Sequence, residues 1–222
     1  MTITHHLDES TILSFAAGSL PAAFAIVASG HIDHCAHCRA KVAKAQVLGG
    51  AILDDVEPVA LSQGAANNLL ELLEAEERKP QPSTPARVLV DTDDDLVPAA
   101  VRRLLDVPFA QIKWKKAGRG ISTRQIDLGE NAQSKLFLMK IAAGSAVPEH
   151  GHTGHEVTLI LSGAYNDECG RFARWDVADL DPDVEHQPVV EDSEDCICLV
   201  AVERPARFKD LLPRLFQPIV GI

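Results

Sequence analysis

No histidine occurs between His37 and His150, across half the chain; all nine fall into an early group and a late one. Other absences narrow the class. No apolar run approaches the roughly 18 residues that a membrane-spanning helix needs, and the N-terminus meets His5, His6, Asp8 and Glu9 where a secretory leader would carry basic residues. A cytoplasmic protein with no membrane contact is expected. Positive charge is scarce: 21 Lys and Arg face 32 Asp and Glu, for a formal net charge of −11. Such a surface repels phosphates, so direct nucleic-acid binding is not expected, whereas a basic partner suits it. The five cysteines are an odd number, and Cys196 and Cys198 sit too close along one strand for an easy bridge. Reduced thiols follow. There is no internal repeat.

With 222 residues, 46% of them hydrophobic, the chain can build one large or two modest cores. From Leu7 to Arg78 the pattern is helical. Asp8 or Ser10 caps a first helix that Gly18 ends. Pro21 opens a second. A third runs from about Cys35 to a break at Gly49-Gly50. The fourth, about Ser62 to Arg78, puts Ala65, Leu69, Leu72, Leu73 and Glu76 at three- and four-residue spacings, the clearest amphipathic face in the chain. Pro80, Pro82 and Pro85 then mark an extended connector, continued by the acidic run Asp91 to Asp95. A short helix, Pro98 to Leu105, leads on. Beyond Ile112 the period becomes two, with strands predicted at Ile121–Leu128, Ser134–Ala142, Val157–Leu161, Phe172–Val177 and Cys196–Val202, as in a β-sandwich or barrel. The division expected is a helical domain over 1–79, a Pro/Asp-rich linker over 80–96 and a β domain over 97–222.

In the late histidine group, Gly144, His150, His152, Glu156 and Gly163 form one ordered string. Residues i and i+2 of a strand share a face, so His150 and His152 can enter one barrel with Glu156 joining them across a turn, and His186 can arrive from a later strand. The string matches the first cupin motif without a gap, so residues from about 110 onward resemble a cupin. Of the second motif Gly170 and His186 remain, while Asp181 and Asp183 replace its Pro-x-Gly and Val190 its usual Asn. Three imidazoles and a carboxylate suit a divalent metal: zinc first, with iron, manganese or nickel compatible. His155 points away from Glu156 and reads as a surface residue. Trp114 and Trp175 read as core, and Cys196 and Cys198 as buried, inert thiols.

In the early group, His31-x3-Cys35-x2-Cys38 gathers three ligand types where two helices meet. A helix N-terminus stabilises thiolates. A fourth ligand, His5 or His6, would complete a closed His2Cys2 zinc site of structural type. Helical geometry turns His37 away from both cysteines.

The paired histidines, the His-Cys-Cys string, the Gly49-Gly50 pair, the proline linker, the cupin string and the Cys196-Ile197-Cys198 strand together resemble the ChrR-type zinc-binding anti-sigma factors along essentially the whole chain. The resemblance implies a two-domain α plus all-β protein: a four-helix zinc-binding anti-sigma domain followed by a cupin β-barrel (jelly roll). It implies His6 as the fourth ligand beside His31, Cys35 and Cys38. It also implies a non-enzymatic regulator that sequesters an extracytoplasmic-function sigma factor and releases it under oxidative stress of the singlet-oxygen type. The early zinc would support sigma binding and the cupin metal the response. Leu69, Leu72 and Leu73, an apolar stripe, are the partner-binding residues expected. The competing readings are a metal-dependent cupin dioxygenase with an accessory helical domain, and a metal-storage or metal-sensing module.

Overall fold

A computed structural model describes residues 2–78, 97–129, 132–181, 183–204 and 207–208. The predicted linker, 80–96, lies outside them.

Four helices come first. α1 (Glu9–Ala16) starts at Asp8, whose carboxylate accepts the Ser10 N–H, and α2 (Ala22–His34) follows Pro21. α3 (Ala36–Asp54) begins at Cys35, which is both the last cap of α2 and the first of α3. It does not stop at Gly49-Gly50. Each internal glycine costs a helix about 1 kcal/mol, which good helix formers on both sides (Leu48, Ala51, Ile52, Leu53) outweigh. α4 (Ala65–Arg78) opens three residues later than expected. The short α5 (Ala99–Arg102) stands after Pro98.

Among the described residues eleven strands follow: β1 (Lys115–Gly118), β2 (Ile121–Ile126), β3 (Lys135–Ile141), β4 (His150–Gly151), β5 (Glu156–Ser162), β6 (Ala164–Asp167), β7 (Gly170–Ala173), β8 (Val177–Leu180), β9 (Val189–Val190), β10 (Cys196–Val202) and β11 (Arg207–Phe208). They pair antiparallel as a six-stranded sheet in the order β1-β2-β3-β10-β5-β8, a three-stranded sheet β7-β6-β9, and the pair β11-β4. This is the cupin sandwich. Gly163 (φ 72) makes the tight step from β5 to β6, where a Cβ would meet the Asp195 carbonyl oxygen at 2.6 Å. The strand expected over Phe172–Val177 is two strands in different sheets, because the chain reverses between Ala173 and Asp176, whose N–H returns to the Ala173 carbonyl.

The inner strands β3, β10 and β5 of the six-stranded sheet are buried on both faces. Phe137, Ile141, Ile160, Cys198, Val200 and Val202 fill the barrel with Tyr165 and Phe172. The alternate residues Leu136, Leu138, Val157, Leu159, Leu161 and Leu199 turn outward, into a second core shared with Phe24, Val27 and Ala28 of α2 and with Leu7, Ile12, Val97 and Val101. α2 lies close on the sheet: a Cβ at Gly30 would come within 2.8 Å of Pro98 Cγ and 2.9 Å of Leu159 Cδ2. The first helices and the barrel therefore share one core.

Candidate metal centres

The α2–α3 junction builds the first centre. Extended backbone at Cys35 (φ −99, ψ 103) turns α3 away from α2, so that His31 on the last turn of one and Cys38 on the first turn of the other face each other. His31 Nε2 stands 3.3 Å from Cys38 Sγ, and His6 Nδ1 stands 3.3 Å from Cys35 Sγ. The Cys38 N–H donates to Cys35 Sγ at 3.4 Å. One ligand atom from each of His6, His31, Cys35 and Cys38 lies within 4.8 Å of all the others. With metal–nitrogen and metal–sulfur bonds of about 2.0 and 2.3 Å, one ion can reach all four. His5 does not join the set; its ring stacks on Phe172 at 3.9 Å. His37 stacks on His6 at 4.4 Å without entering either.

Electrostatics favour a cation there. His31 Nδ1 faces the Trp175 carbonyl oxygen at 2.8 Å. A carbonyl only accepts, so Nδ1 carries the proton and Nε2 turns a lone pair toward Cys38. Burial lowers the His31 pKa to about 4 and also lowers that of His6, keeping both imidazoles neutral at pH 7. Burial pushes the Cys38 thiol up to about 11, with the neighbouring Cys35 adding to the rise. Two neutral imidazoles and two buried cysteine sulfurs form a donor set that a divalent ion reconciles.

The second centre lies inside the barrel. His150 on β4 and His186 form an isolated bridge with backbone N···O distances of 3.1 and 3.0 Å, which closes the sandwich despite the altered second motif. His150, His152, Glu156 and His186 again offer ligand atoms within 4.8 Å of one another. His150 Nδ1 donates to the Pro148 carbonyl and His186 Nδ1 to the buried Asp167 carboxylate, both at 2.9 Å. Both Nε2 atoms are then acceptors, yet they face each other at 3.2 Å. Two lone pairs at that distance repel unless a cation lies between them. Burial would raise the Glu156 pKa, but the hydrogen bond from His152 and the electrostatic influence of the surrounding histidines outweigh it and hold the carboxyl below its usual range. A cavity of about 60 Å³ adjoins, lined by Phe137, Met139, Val147, Tyr165, Cys198 and Val200 among others. It has room for a few water molecules.

Cys196 and Cys198 are buried with their sulfurs 3.7 Å apart. Donating its S–H to Cys196 Sγ, together with burial, raises the Cys198 pKa well above the ordinary thiol value, in keeping with an unreactive thiol. His155 departs from expectation. Its ring stacks on Phe24 of α2 at 5.0 Å and its Nε2 lies 2.5 Å from Asp179 Oδ1, so it belongs to the contact between helices and barrel. Leu69, Leu72 and Leu73 stand 57%, 67% and 55% exposed on α4, joined by Leu70 and by Val47, Leu48, Ile52 and Leu53 on α3. Sequence patterning singled out the first three; of the α3 residues, Ile52 and Leu53 lie beyond the break assumed at Gly49-Gly50.

A helical module holding a His2Cys2 cluster, docked on a cupin with its own His3Glu cluster, defines a two-centre cupin protein. The family model of the ChrR cupin-like domain matches residues 104–205. The anti-sigma-E factor ChrR of Cereibacter sphaeroides is 36% identical over 222 residues, covering the whole of both chains. A chain in the crystal structure of Rhodobacter sphaeroides SigE in complex with the anti-sigma ChrR superposes with a TM-score of 0.72 at 31% identity, over 90% of this chain and 99% of that one. The chain belongs to the ChrR family.

Proposed function

We propose that this chain is a cytoplasmic anti-sigma factor and not an enzyme: it sequesters an extracytoplasmic-function sigma factor by occlusion and releases it under oxidative, singlet-oxygen-type stress. Supporting this reading above all is the similarity, along the full length of both chains, to a protein named an anti-sigma factor. The apolar residues left in the open on α3 and α4 supply a physical reason. Side chains such as Leu69, Leu72 and Leu73 cost water-exposed area that a monomer has no reason to keep, and a partner groove would bury them.

In this reading the helical module over 1–79 carries zinc on His6, His31, Cys35 and Cys38 and binds the sigma factor. The connector over 80–96 joins it to the cupin over 97–222, where His150, His152, Glu156 and His186 hold a second divalent ion, zinc first among the candidates. Zinc in the first centre cross-links α2, α3 and the segment before α1, giving a small helical module a rigidity its own packing would not supply. The ion in the second centre gives the cupin a site at which an oxidant can act. Among the described residues no helix is long and apolar enough to cross a membrane.

Co-expression with the candidate sigma factor and metal analysis of the purified complex test the reading. A one-to-one complex is expected, lost when Cys35 and Cys38 are both replaced by serine. Retention of the complex by that double variant would refute the role given to the zinc. Replacing His150 and Glu156 should preserve the complex and blunt its dissociation by oxidant.

A further inference from the structure

His6 lies in the segment before α1 and His31 on α2, but the groups that fix them come from the barrel, at the turn between β7 and β8. Trp175 has φ 72, the one positive value at a non-glycine among the described residues. A bulky side chain tolerates that conformation only when its surroundings hold it. Four contacts do so: its N–H donates to the Ile160 carbonyl at 2.8 Å, its indole stacks on His34 of α2 at 3.7 Å, the Arg174 guanidinium lies 4.8 Å from its ring centroid, and its carbonyl takes the His31 Nδ1 proton at 2.8 Å. Asp176, 2% exposed, grips the other ligand's segment. Its Oδ1 accepts the N–H groups of Thr4 and His5 at 2.7 and 2.9 Å, directly before His6, and its Oδ2 accepts that of Ala173 at 2.9 Å. The turn also hangs from β5, through Ile160 N–H to the Asp176 carbonyl at 3.0 Å, and β5 carries Glu156 at its start.

We propose that the Trp175–Asp176 turn of the cupin is a positioning element of the zinc centre in the helical module, orienting His31 through a backbone carbonyl and His6 through the Asp176 carboxylate, and that it joins the two metal centres through β5. Partners of this kind set the tautomer and direction of a ligand, and losing one typically weakens metal binding about 10- to 100-fold. By linkage, whatever shifts the turn shifts the zinc affinity, and zinc binding shifts the turn.

The inference rests on the zinc reading of His6, His31, Cys35 and Cys38, and cobalt separates the two. Only that centre contains thiolates, so a thiolate-to-cobalt band in the unsubstituted full-length chain reports it alone; if no such band forms, the zinc reading fails first. Given the band, Asp176→Ala should weaken metal binding about 10- to 100-fold in competition with a chelator and alter the cobalt d–d envelope. Asp176→Asn, which keeps an oxygen for Thr4 and His5, should restore most of both. Affinity and spectrum unchanged in Asp176→Ala overturn the inference.

A measurement that leaves Asp176 intact covers the case in which its variants do not fold. In a Trp114→Phe chain, emission comes from Trp175 alone. Cadmium titrated into the metal-free form should change that emission in step with the thiolate-to-cadmium band. Emission that stays constant while the band grows overturns the inference as well.

Discussion

At the scale of single residues, the protein separates ligands that a sequence can announce from supports that it cannot. His31, Cys35 and Cys38, and His150, His152 and Glu156, are spaced by local geometry, one group on a helix junction and the other on a strand and turn, so their pattern is visible in the sequence. The partners that set their tautomers are not. His31 relies on the carbonyl of Trp175, which any residue would supply, and His186 on Asp167, 19 residues away with no periodic relation to it. The choice between His5 and His6 could be made only by resemblance, because the helical pattern begins after both. Asp167 offers a direct check. Its Asp167→Ala variant should lose about 10- to 100-fold in cupin metal affinity, measured by chelator competition, because His186 would no longer be held with Nε2 toward the ion. The thiolate-to-cobalt band of the other centre should not move.

Among the elements, the four central strands of the six-stranded sheet, β2, β3, β10 and β5, were legible as strands while the outer β1 and β8 were not, and the sheet's second buried face was not recognised. Runs such as Val157 to Leu161 are nearly all apolar because one set of side chains fills the barrel and the other meets α2. The sequence could have been read that way. Gly30 marks the contact: Gly30→Ala puts a methyl group against the stiff Pro98 ring and should destabilise the chain by about 1–3 kcal/mol, read from urea unfolding. The Gly49-Gly50 pair should behave oppositely. A Cβ at either meets nothing within 4 Å and the helix runs through both. Gly49→Ala and Gly50→Ala should each stabilise α3 by up to about 1 kcal/mol, seen as greater helical circular dichroism. If either lowers helicity, the glycines serve a bent α3 and the continuous helix is wrong.

For the molecule as a whole, charge and apolar surface divide the work of binding between rate and lifetime. A net charge of −11 draws a basic partner from a distance, and added salt screens that attraction, with a Debye length falling from about 10 Å at 0.1 M to 3 Å at 1 M. The association rate constant with the sigma factor, measured by stopped flow, should therefore fall as salt rises, while the dissociation rate constant changes little. Lifetime should depend instead on the exposed leucines of α4. Replacing Leu69, Leu72 and Leu73 together by serine should leave the unfolding of the free chain nearly unchanged, since these side chains are already more than half in water. If they seat in a sigma-factor groove, losing them costs at least about 2 kcal/mol of binding, the size of an interface hot spot, and the dissociation rate constant rises at least about 30-fold at 1.4 kcal/mol per decade. A triple variant that dissociates at the original rate would move the docking surface off α4, leaving Val47, Leu48, Ile52 and Leu53 of α3 as the next apolar face to test.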